Sequence, residues 1–230
     1  MEQFESYFTE VLTAYMEKPL PMGQRHLVES MLYTTLEPGK RFRPQLIVMI
    51  AELLQKPVTF VFPYAAAIEM IHSYSLIHDD LPCMDNDDYR RGKPSNHKVF
   101  GEALALLSGD ALLTESFAII AQAYKEQPAL ALEIILDLSQ AIGWQGMVGG
   151  QAMDMAMQKS NEQGNVDLLL QMHRLKTGEL IRISVSGAAK LIGLEQEDHA
   201  LLDKFGRALG LAFQIADDLL DLKESASHRT

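Results

Sequence analysis

"YAAAIEMIHSYSLIHDD", residues 64–80, is the stretch that decides the fold of this 230-residue chain. Its apolar residues recur at steps of three and four, with Ile68 and Ile71 on one side of a helix and Met70 and Tyr74 beside them. The pattern predicts a long helix that ends in a pair of aspartates.

The same helical period continues through most of the chain. It recurs in long segments rich in Ala and Leu over residues 101–124, 128–143, 166–193 and 201–222. "QLIVMI", residues 45–50, is strand-like in composition, but it begins just after Pro44 and continues into good helix formers, so we interpret it as helix. Alternating strand patterns and Asn-Gly or Asp-Gly hairpin signals are missing from the sequence. We therefore predict an all-α fold, a single domain over residues 1–230 built as a bundle of long antiparallel helices around a central cavity.

Composition narrows the class of protein. Twenty basic residues against 31 acidic ones give a formal charge of −11, which argues against nucleic-acid binding. The single cysteine, Cys83, excludes an intramolecular disulfide and favours a reducing compartment. The N-terminus lacks the basic and apolar regions of a signal peptide, and the longest apolar stretches are interrupted by charge or glycine. These features predict a cytoplasmic protein with no membrane span.

Two aspartate motifs end apolar helices. "HDDLPCMD", residues 78–85, and "FQIADDLLD", residues 213–221, each carry an Asp-Asp pair and a further Asp downstream. In the first motif, Pro82 limits regular helix, so we expect Asp85 to return toward the pair through a turn. Either motif alone could be a solvated acidic helix end. Like charges at helical spacing repel each other, however, unless a cation neutralises them. Carboxylate oxygens are ligands that Mg²⁺ prefers, so a bound Mg²⁺ would explain both motifs. The candidate metal ligands are Asp79, Asp80, Asp85, Asp217, Asp218 and Asp221.

Basic side chains accompany these motifs. "GKRFRP", residues 39–44, places Lys40, Arg41 and Arg43 at the start of a helix, where free N–H groups favour anions. Further basic and hydroxyl side chains follow in two other segments: Arg90, Arg91 and Lys93 in "YRRGKP", and Lys176 and Thr177 in "RLKTGEL". Because arginine forks match phosphate oxygens, we predict two polyanion sites, one held through metal and one held directly by Arg and Lys.

These segments resemble the trans-isoprenyl diphosphate synthases. The resemblance rests on "GKRFRP", on "EMIHSYSLIHDDLPCMDNDDYRRGKPSNHKVFGEALALLSGDALL", on "RLKTGEL" and on "FQIADDLLD", which occur in the family's order. It implies an all-α homodimer that binds Mg²⁺, isopentenyl diphosphate and an allylic diphosphate.

The resemblance also implies residue roles. It assigns direct catalytic roles to Asp79, Asp80, Asp85, Lys176 and Asp217. It places the allylic diphosphate on Arg90, Lys176, Thr177 and Gln214, and isopentenyl diphosphate on Lys40, Arg43, His72 and Arg91. Gln151 and Asp154, in "GGQAMDM", match a family segment near the site and would have a supporting role.

Product length depends on the helix that ends at Asp79. Tyr74 lies five residues before it, and an aromatic ring there would block a long tail. An aromatic residue at this position, with Pro82 inside the motif, resembles the family pattern that implies a farnesyl product. The neighbouring Ser75 would leave a gap in that floor, so geranylgeranyl diphosphate remains an alternative.

The sequence departs from the family pattern after the second aspartate motif. "DLKESASHRT", residues 221–230, follows where family members continue, so we expect a synthase domain that lacks the usual C-terminal segment. Two other hypotheses stay open: a terpene cyclase, which would not need the second set of basic residues, and a non-catalytic partner subunit of a related synthase.

Overall fold

The computed structural model describes residues 1–159 and 165–227, apart from the side chains of residues 218 and 221–227. In its first half the elements are α1 Glu2–Thr13, α2 Met22–Thr35, α3 Phe42–Leu53, α4 Val58–Asp79, β1 Tyr89–Arg90, β2 Lys93–Pro94, α5 Asn96–Phe100 and α6 Glu102–Ala123. In its second half they are α7 Pro128–Ile142, α8 Met147–Lys159, α9 Val166–His173, a π-helical turn Arg174–Gly178, α10 Glu179–Ile192 and α11 Gln196–Ser227. The predicted all-α class is confirmed, and "QLIVMI" lies within α3 as predicted.

One short hairpin was missed by the sequence analysis. β1 and β2 pair antiparallel, with Tyr89 opposite Pro94 and Arg90 opposite Lys93. Arg91 and Gly92 form the two-residue turn, both with positive φ, at 52° and 81°. This is the backbone of a primed hairpin turn, in which Arg takes the position where Asn or Asp is usual.

The chain divides into two compact units, Met1–Ala131 and Leu132–Thr230. The prediction of a single domain stays a prediction.

α4 is the central helix of the first unit. It packs against α6, α3, α2 and α1, and its buried residues lie on every side of the helix. A helix that is apolar all round must be covered by neighbours, which explains why four helices surround it. α1 contributes the stacked rings of Phe4 and Phe8, whose centroids are 5.6 Å apart, and Phe4 also meets the edge of Phe62.

Two helices of the described residues, α4 and α6, are long and apolar enough to cross a membrane by length and composition. The sequence analysis had expected charge and glycine to rule out any such stretch. The apolar window of α4 is 72% buried within the protein, as in a core helix, whereas that of α6 is 33% buried. These properties are weak evidence for a membrane span, and they leave α6 with an exposed apolar face.

Arg41 joins four segments of the first unit. It lies just before α3 in the left-handed conformation, with φ 45°, and its side chain is 5% exposed. Its guanidinium donates to Glu69 Oε1 of α4 at 2.7 Å and to the carbonyl oxygen of Thr35 at the end of α2 at 2.9 Å. It also contacts Glu5 of α1 at 3.2 Å and lies over the ring of Phe8. The start of α3 is therefore fixed against α4.

α10 and α11 form the main packed pair of the second unit. Gly206 and Gly210 of α11 lie against the backbone of Arg182 and Gly178, so the helices approach closely. Across this contact Arg182 bonds Asp203 at 2.7 Å. Although burial opposes it, bonding from Arg182 and Arg207 lowers the pKa of Asp203 below its ordinary value. The close packing places the π-helical turn beside α11.

We predict that Arg41→Met lowers the free energy of unfolding by about 3–5 kcal/mol, because it leaves the buried Glu69 carboxylate without its partner. The double variant Arg41→Met/Glu69→Leu should recover most of that loss. Lys98→Met, which breaks the exposed Lys98–Asp88 pair, is the matched control and should cost less than about 1 kcal/mol. Urea unfolding measures all three, and a loss in Arg41→Met no larger than in the control would contradict the assigned role of the pair.

Candidate active site

A cluster of arginines surrounds His72 on α4. Burial is the main reason that the pKa of His72 lies well below its ordinary value, and Arg43, Arg91, Arg90 and Arg41, in that order, lower it further. His72 is therefore a neutral imidazole at pH 7 in a strongly positive environment. Such a cluster is arranged to bind an anion.

Arg43, half-buried near the start of α3, is one of the predicted anion ligands. Burial lowers the pKa of its guanidinium to about 10, with Glu69 opposing the shift and Arg91 adding to it. Its Nε is buried and has no hydrogen-bond partner among the described residues. Lys40, by contrast, is exposed. The cluster thus holds a donor that is available to a ligand.

The hairpin turn brings Arg91 to the same cluster. Its guanidinium lies against Gly39, where a Cβ would come within 2.8 Å of Nη1. A side chain at position 39 would push Arg91 away. The glycine of "GKRFRP" and the turn of "YRRGKP" therefore act together in placing one arginine.

The first aspartate motif closes into a turn at the end of α4. The N–H of Asp85 donates to the carbonyl oxygen of Asp79 at 2.9 Å, so the chain returns as expected. Asp85 is exposed, and Asp79 is half-buried. Two carboxylates of the motif thus lie on the same turn.

Asp80 differs from its neighbours. Its side chain is 3% exposed and receives Arg90 Nε at 2.7 and 2.9 Å and Arg90 Nη2 at 2.5 Å. Burial raises the pKa of Asp80, while Arg90 opposes the shift. Both carboxylate oxygens are bonded to Arg90, so this pair fixes the hairpin to the end of α4. The metal role predicted for Asp80 and the diphosphate role predicted for Arg90 stay predictions.

Tyr74 is buried one and a half turns before Asp79. Its hydroxyl has no partner among the described residues, and burial, followed by the charge of Asp79, raises its pKa above the ordinary value. Its ring meets the edge of the His78 ring, with centroids 5.7 Å apart. His78 is held in turn by the carbonyl oxygen of Leu106 at 2.9 Å and lies against Gly109. The tyrosine ring is therefore packed in place.

In the second unit, the π-helical turn presents Lys176 and Thr177. A π turn widens the helix and is often associated with function. Lys176 Nζ forms an ion pair with Asp154 Oδ2 of α8 at 2.5 Å, and Thr177 Oγ1 bonds Gln214 Oε1 of α11 at 2.8 Å. Three predicted ligand residues are thus brought together, and Asp154 supports one of them.

Glycines on both sides determine the position of this turn. Gly150 of α8 lies against the backbone of Lys176, with no room for a Cβ. On the other side, a Cβ at Gly210 would come within 2.7 Å of Gly178 Cα. The π turn is held between two backbones, which fixes where Lys176 and Thr177 point.

The second aspartate motif lies on α11. Asp217 is exposed, while the side chains of Asp218 and Asp221 are outside the described residues. The two motifs belong to different compact units, so the prediction that they face each other stays a prediction.

The donor set suits Mg²⁺ at the first motif. Asp79 and Asp85 supply hard carboxylate oxygens on one turn. Among the side chains that the structure describes, no three His, Cys, Asp or Glu groups already form a metal cluster. A cation there would need oxygens from water or a bound diphosphate to complete its coordination, as Mg²⁺ commonly does.

Sequence reasoning missed Glu69. It is 3% exposed and is the acidic partner of Arg41 as well as a neighbour of Arg43. The signal was a single charged residue inside the apolar run "AAAIEMI", since an unpaired charge is not tolerated in a buried helix.

A family model described as polyprenyl synthetase matches residues 24–229. The chain belongs to the polyprenyl synthetase family.

Individual relatives of the chain agree with that assignment. A farnesyl diphosphate synthase of Geobacillus stearothermophilus is 46% identical over 214 residues, which are 92% of this chain and 71% of the relative. A geranylgeranyl diphosphate synthase of Cyanophora paradoxa is 40% identical over 215 residues, which are 93% of this chain and 71% of the relative. The apo crystal structure of an FPP/GFPP synthase from Zymomonas mobilis has 41% identity and a TM-score of 0.89, covering 96% of this chain and 80% of that one. The predicted family and the predicted enzyme class, a trans-prenyltransferase, are confirmed.

We predict that His72→Gln weakens the pH dependence of stability below pH 6.5. Because the pKa of His72 is lowered in the folded state, the unfolded chain binds a proton there first, and wild-type stability falls as the pH falls. This contribution reaches at most about 1.4 kcal/mol per pH unit and is absent in the variant. Denaturant unfolding between pH 7 and pH 5 measures it, with exposed His26→Gln as the control. Parallel wild-type and His72→Gln curves would contradict the assignment of a neutral buried imidazole.

Proposed function

We propose that the chain condenses isopentenyl diphosphate with an allylic diphosphate, either dimethylallyl or geranyl, and that farnesyl diphosphate is the main product. The observation that carries this proposal is the positive cluster around His72, in which Arg43 and Arg91 lie together and the buried Nε of Arg43 has no partner among the described residues. An enzyme that only ionises one diphosphate would not need this second basic site. The terpene cyclase alternative is therefore disfavoured.

Isopentenyl diphosphate would bind the cluster directly. Arg43 offers its buried Nε, the Arg91 guanidinium lies against Gly39, and Lys40, next to Arg41 in the sequence, is exposed. Neutral His72 can donate one ring N–H to a phosphate oxygen. The cluster would hold the diphosphate end while leaving the double bond free to react.

The allylic diphosphate would bind at the aspartate motifs and the π turn. Asp79 and Asp85 would hold Mg²⁺ at the first motif, and Asp217, Asp218 and Asp221 at the second, with Asp80 in support. The chemistry that bound Mg²⁺ supplies is neutralisation of charge on the leaving diphosphate. Lys176, Thr177, Gln214 and Arg90 would contact the same diphosphate.

The reaction breaks the C1–O bond of the allylic diphosphate, whose electron pair leaves with the diphosphate. The double bond of isopentenyl diphosphate supplies the pair for the new C–C bond. A proton is then lost from the resulting cation to the departed diphosphate. Lys176 stabilises the negative charge that develops, and the apolar walls of the helices exclude water from the cation.

The exposed face of α6 supports a homodimer. Leu106 and Leu107 are 47% and 52% exposed on a helix whose apolar window is mostly uncovered. A second copy of the chain would cover this face, as expected for an apolar patch of this kind. The single cysteine suits a reducing compartment, so we propose that the protein operates in the cytoplasm.

The test of this proposal is a product assay. Purified protein, Mg²⁺, isopentenyl diphosphate and geranyl diphosphate should yield farnesyl diphosphate, identified by mass. Asp79→Asn should lower turnover by at least about 100-fold while keeping the helical circular dichroism. A folded wild-type chain that forms no product would overturn the proposal and favour the partner-subunit alternative.

Tyr74→Ala tests the chain-length assignment in the same assay. Removing the buried ring opens space before Asp79, so products should lengthen to geranylgeranyl diphosphate or beyond. Tyr74→Phe is the matched control, since it keeps the ring and removes only the unpartnered hydroxyl, and it should still give farnesyl diphosphate. If wild type already makes geranylgeranyl diphosphate, or if Tyr74→Ala leaves the product unchanged, Tyr74 is not the floor.

A further inference from the structure

Gln151 on α8 has a buried amide that the packing of the protein does not use. Both Oε1 and Nε2 are inaccessible to solvent, and neither has a hydrogen-bond partner among the described residues. A primary amide offers two donors and two acceptor positions, and burying them without partners destabilises a fold. Unsatisfied buried groups of this kind call for a specific explanation, and a ligand is one.

The position of Gln151 relates it to the π-helical turn. The preceding residue, Gly150, lies against the backbone of Lys176. Asp154, three residues later and thus on the same side of the helix, bonds Lys176 Nζ. Gln151 therefore belongs to the face of α8 that packs on the turn carrying Lys176 and Thr177.

The amide is neutral and belongs to a methionine-rich helix, "MVGGQAMDMAM". A diphosphate is strongly hydrated and is bound by charged groups such as Lys176. The allylic carbons, in contrast, are apolar before ionisation and carry positive charge after it. An amide oxygen that is shielded from water attracts developing positive charge. Because the carbons become positive only as the C–O bond breaks, the oxygen gains this favourable interaction in the transition state and not in the ground state.

We propose that Gln151 is a catalytic residue whose side-chain oxygen faces the allylic carbons and stabilises the cation formed from them. This inference rests on the proposed prenyl transfer. It adds a residue whose role is electrostatic and which holds neither diphosphate nor metal.

Gln151→Met tests it, because methionine keeps the length and helix preference of glutamine and removes both polar atoms. We expect kcat with geranyl diphosphate to fall about 10- to 100-fold while the KM values for both substrates stay within threefold. The midpoint of thermal unfolding should rise, since the buried amide no longer goes unsatisfied. Gln140→Met, an exposed glutamine of α7, is the matched control and should change neither quantity.

The experiment distinguishes failure of the proposed function from failure of the role proposed for Gln151. A wild-type chain without prenyl transfer overturns the proposed function itself. An active wild type with a Gln151→Met kcat within twofold of it overturns only the role of Gln151. A variant with lowered thermal stability, or with a raised KM and an unchanged kcat, also overturns it, because the amide would then be structural or would bind the ground state.

Discussion

The buried ion pair between Arg41 and Glu69 is the interaction on which the first unit depends. Arg41 lies in a backbone conformation that costs energy for a non-glycine residue, and this cost is tolerated because its guanidinium bonds α4, the end of α2 and α1 at once. Two predicted ligands of isopentenyl diphosphate, Lys40 and Arg43, lie in the same short segment as Arg41, so the conformation of this segment sets their positions. Without the pair, the start of α3 would have no fixed position relative to His72.

α4 connects this ion pair to the predicted chemistry. Glu69, His72, Tyr74 and Asp79 lie within eleven residues of one helix, a rise of about 15 Å from the first to the last. The acidic partner of Arg41, the neutral imidazole, the ring predicted to block the tail and the first carboxylate therefore keep fixed separations. Such a rigid axis suits a reaction in which a hydrocarbon must be held at a set distance from its diphosphate.

The sequence predicted the helical elements well because their apolar periods are long and uninterrupted, as in α4 and in the α3 segment "QLIVMI". It missed the hairpin because the turn uses Arg91-Gly92, whose left-handed arginine is uncommon at that position. From the sequence, Asp79 and Asp80 were both predicted to be metal ligands, because nothing in the sequence distinguishes two neighbouring aspartates. The structure distinguishes them, since Asp80 is buried in an ion pair with Arg90. The π turn at Arg174–Gly178 could not be predicted either, because it results from packing against Gly150 and Gly210 and not from the residues of the turn.

The central claim is that two diphosphates bind at separate sites, only one of which needs metal. Isothermal titration calorimetry of isopentenyl diphosphate, and of a non-reactive thio analogue of geranyl diphosphate, tests it most directly when run with Mg²⁺ and with a chelator. The account predicts that isopentenyl diphosphate binds under both conditions and loses affinity in Arg43→Met, while the allylic analogue binds only with Mg²⁺ and is unaffected by that variant. Competition between the two ligands for one site, or a Mg²⁺ requirement for isopentenyl diphosphate, would contradict it.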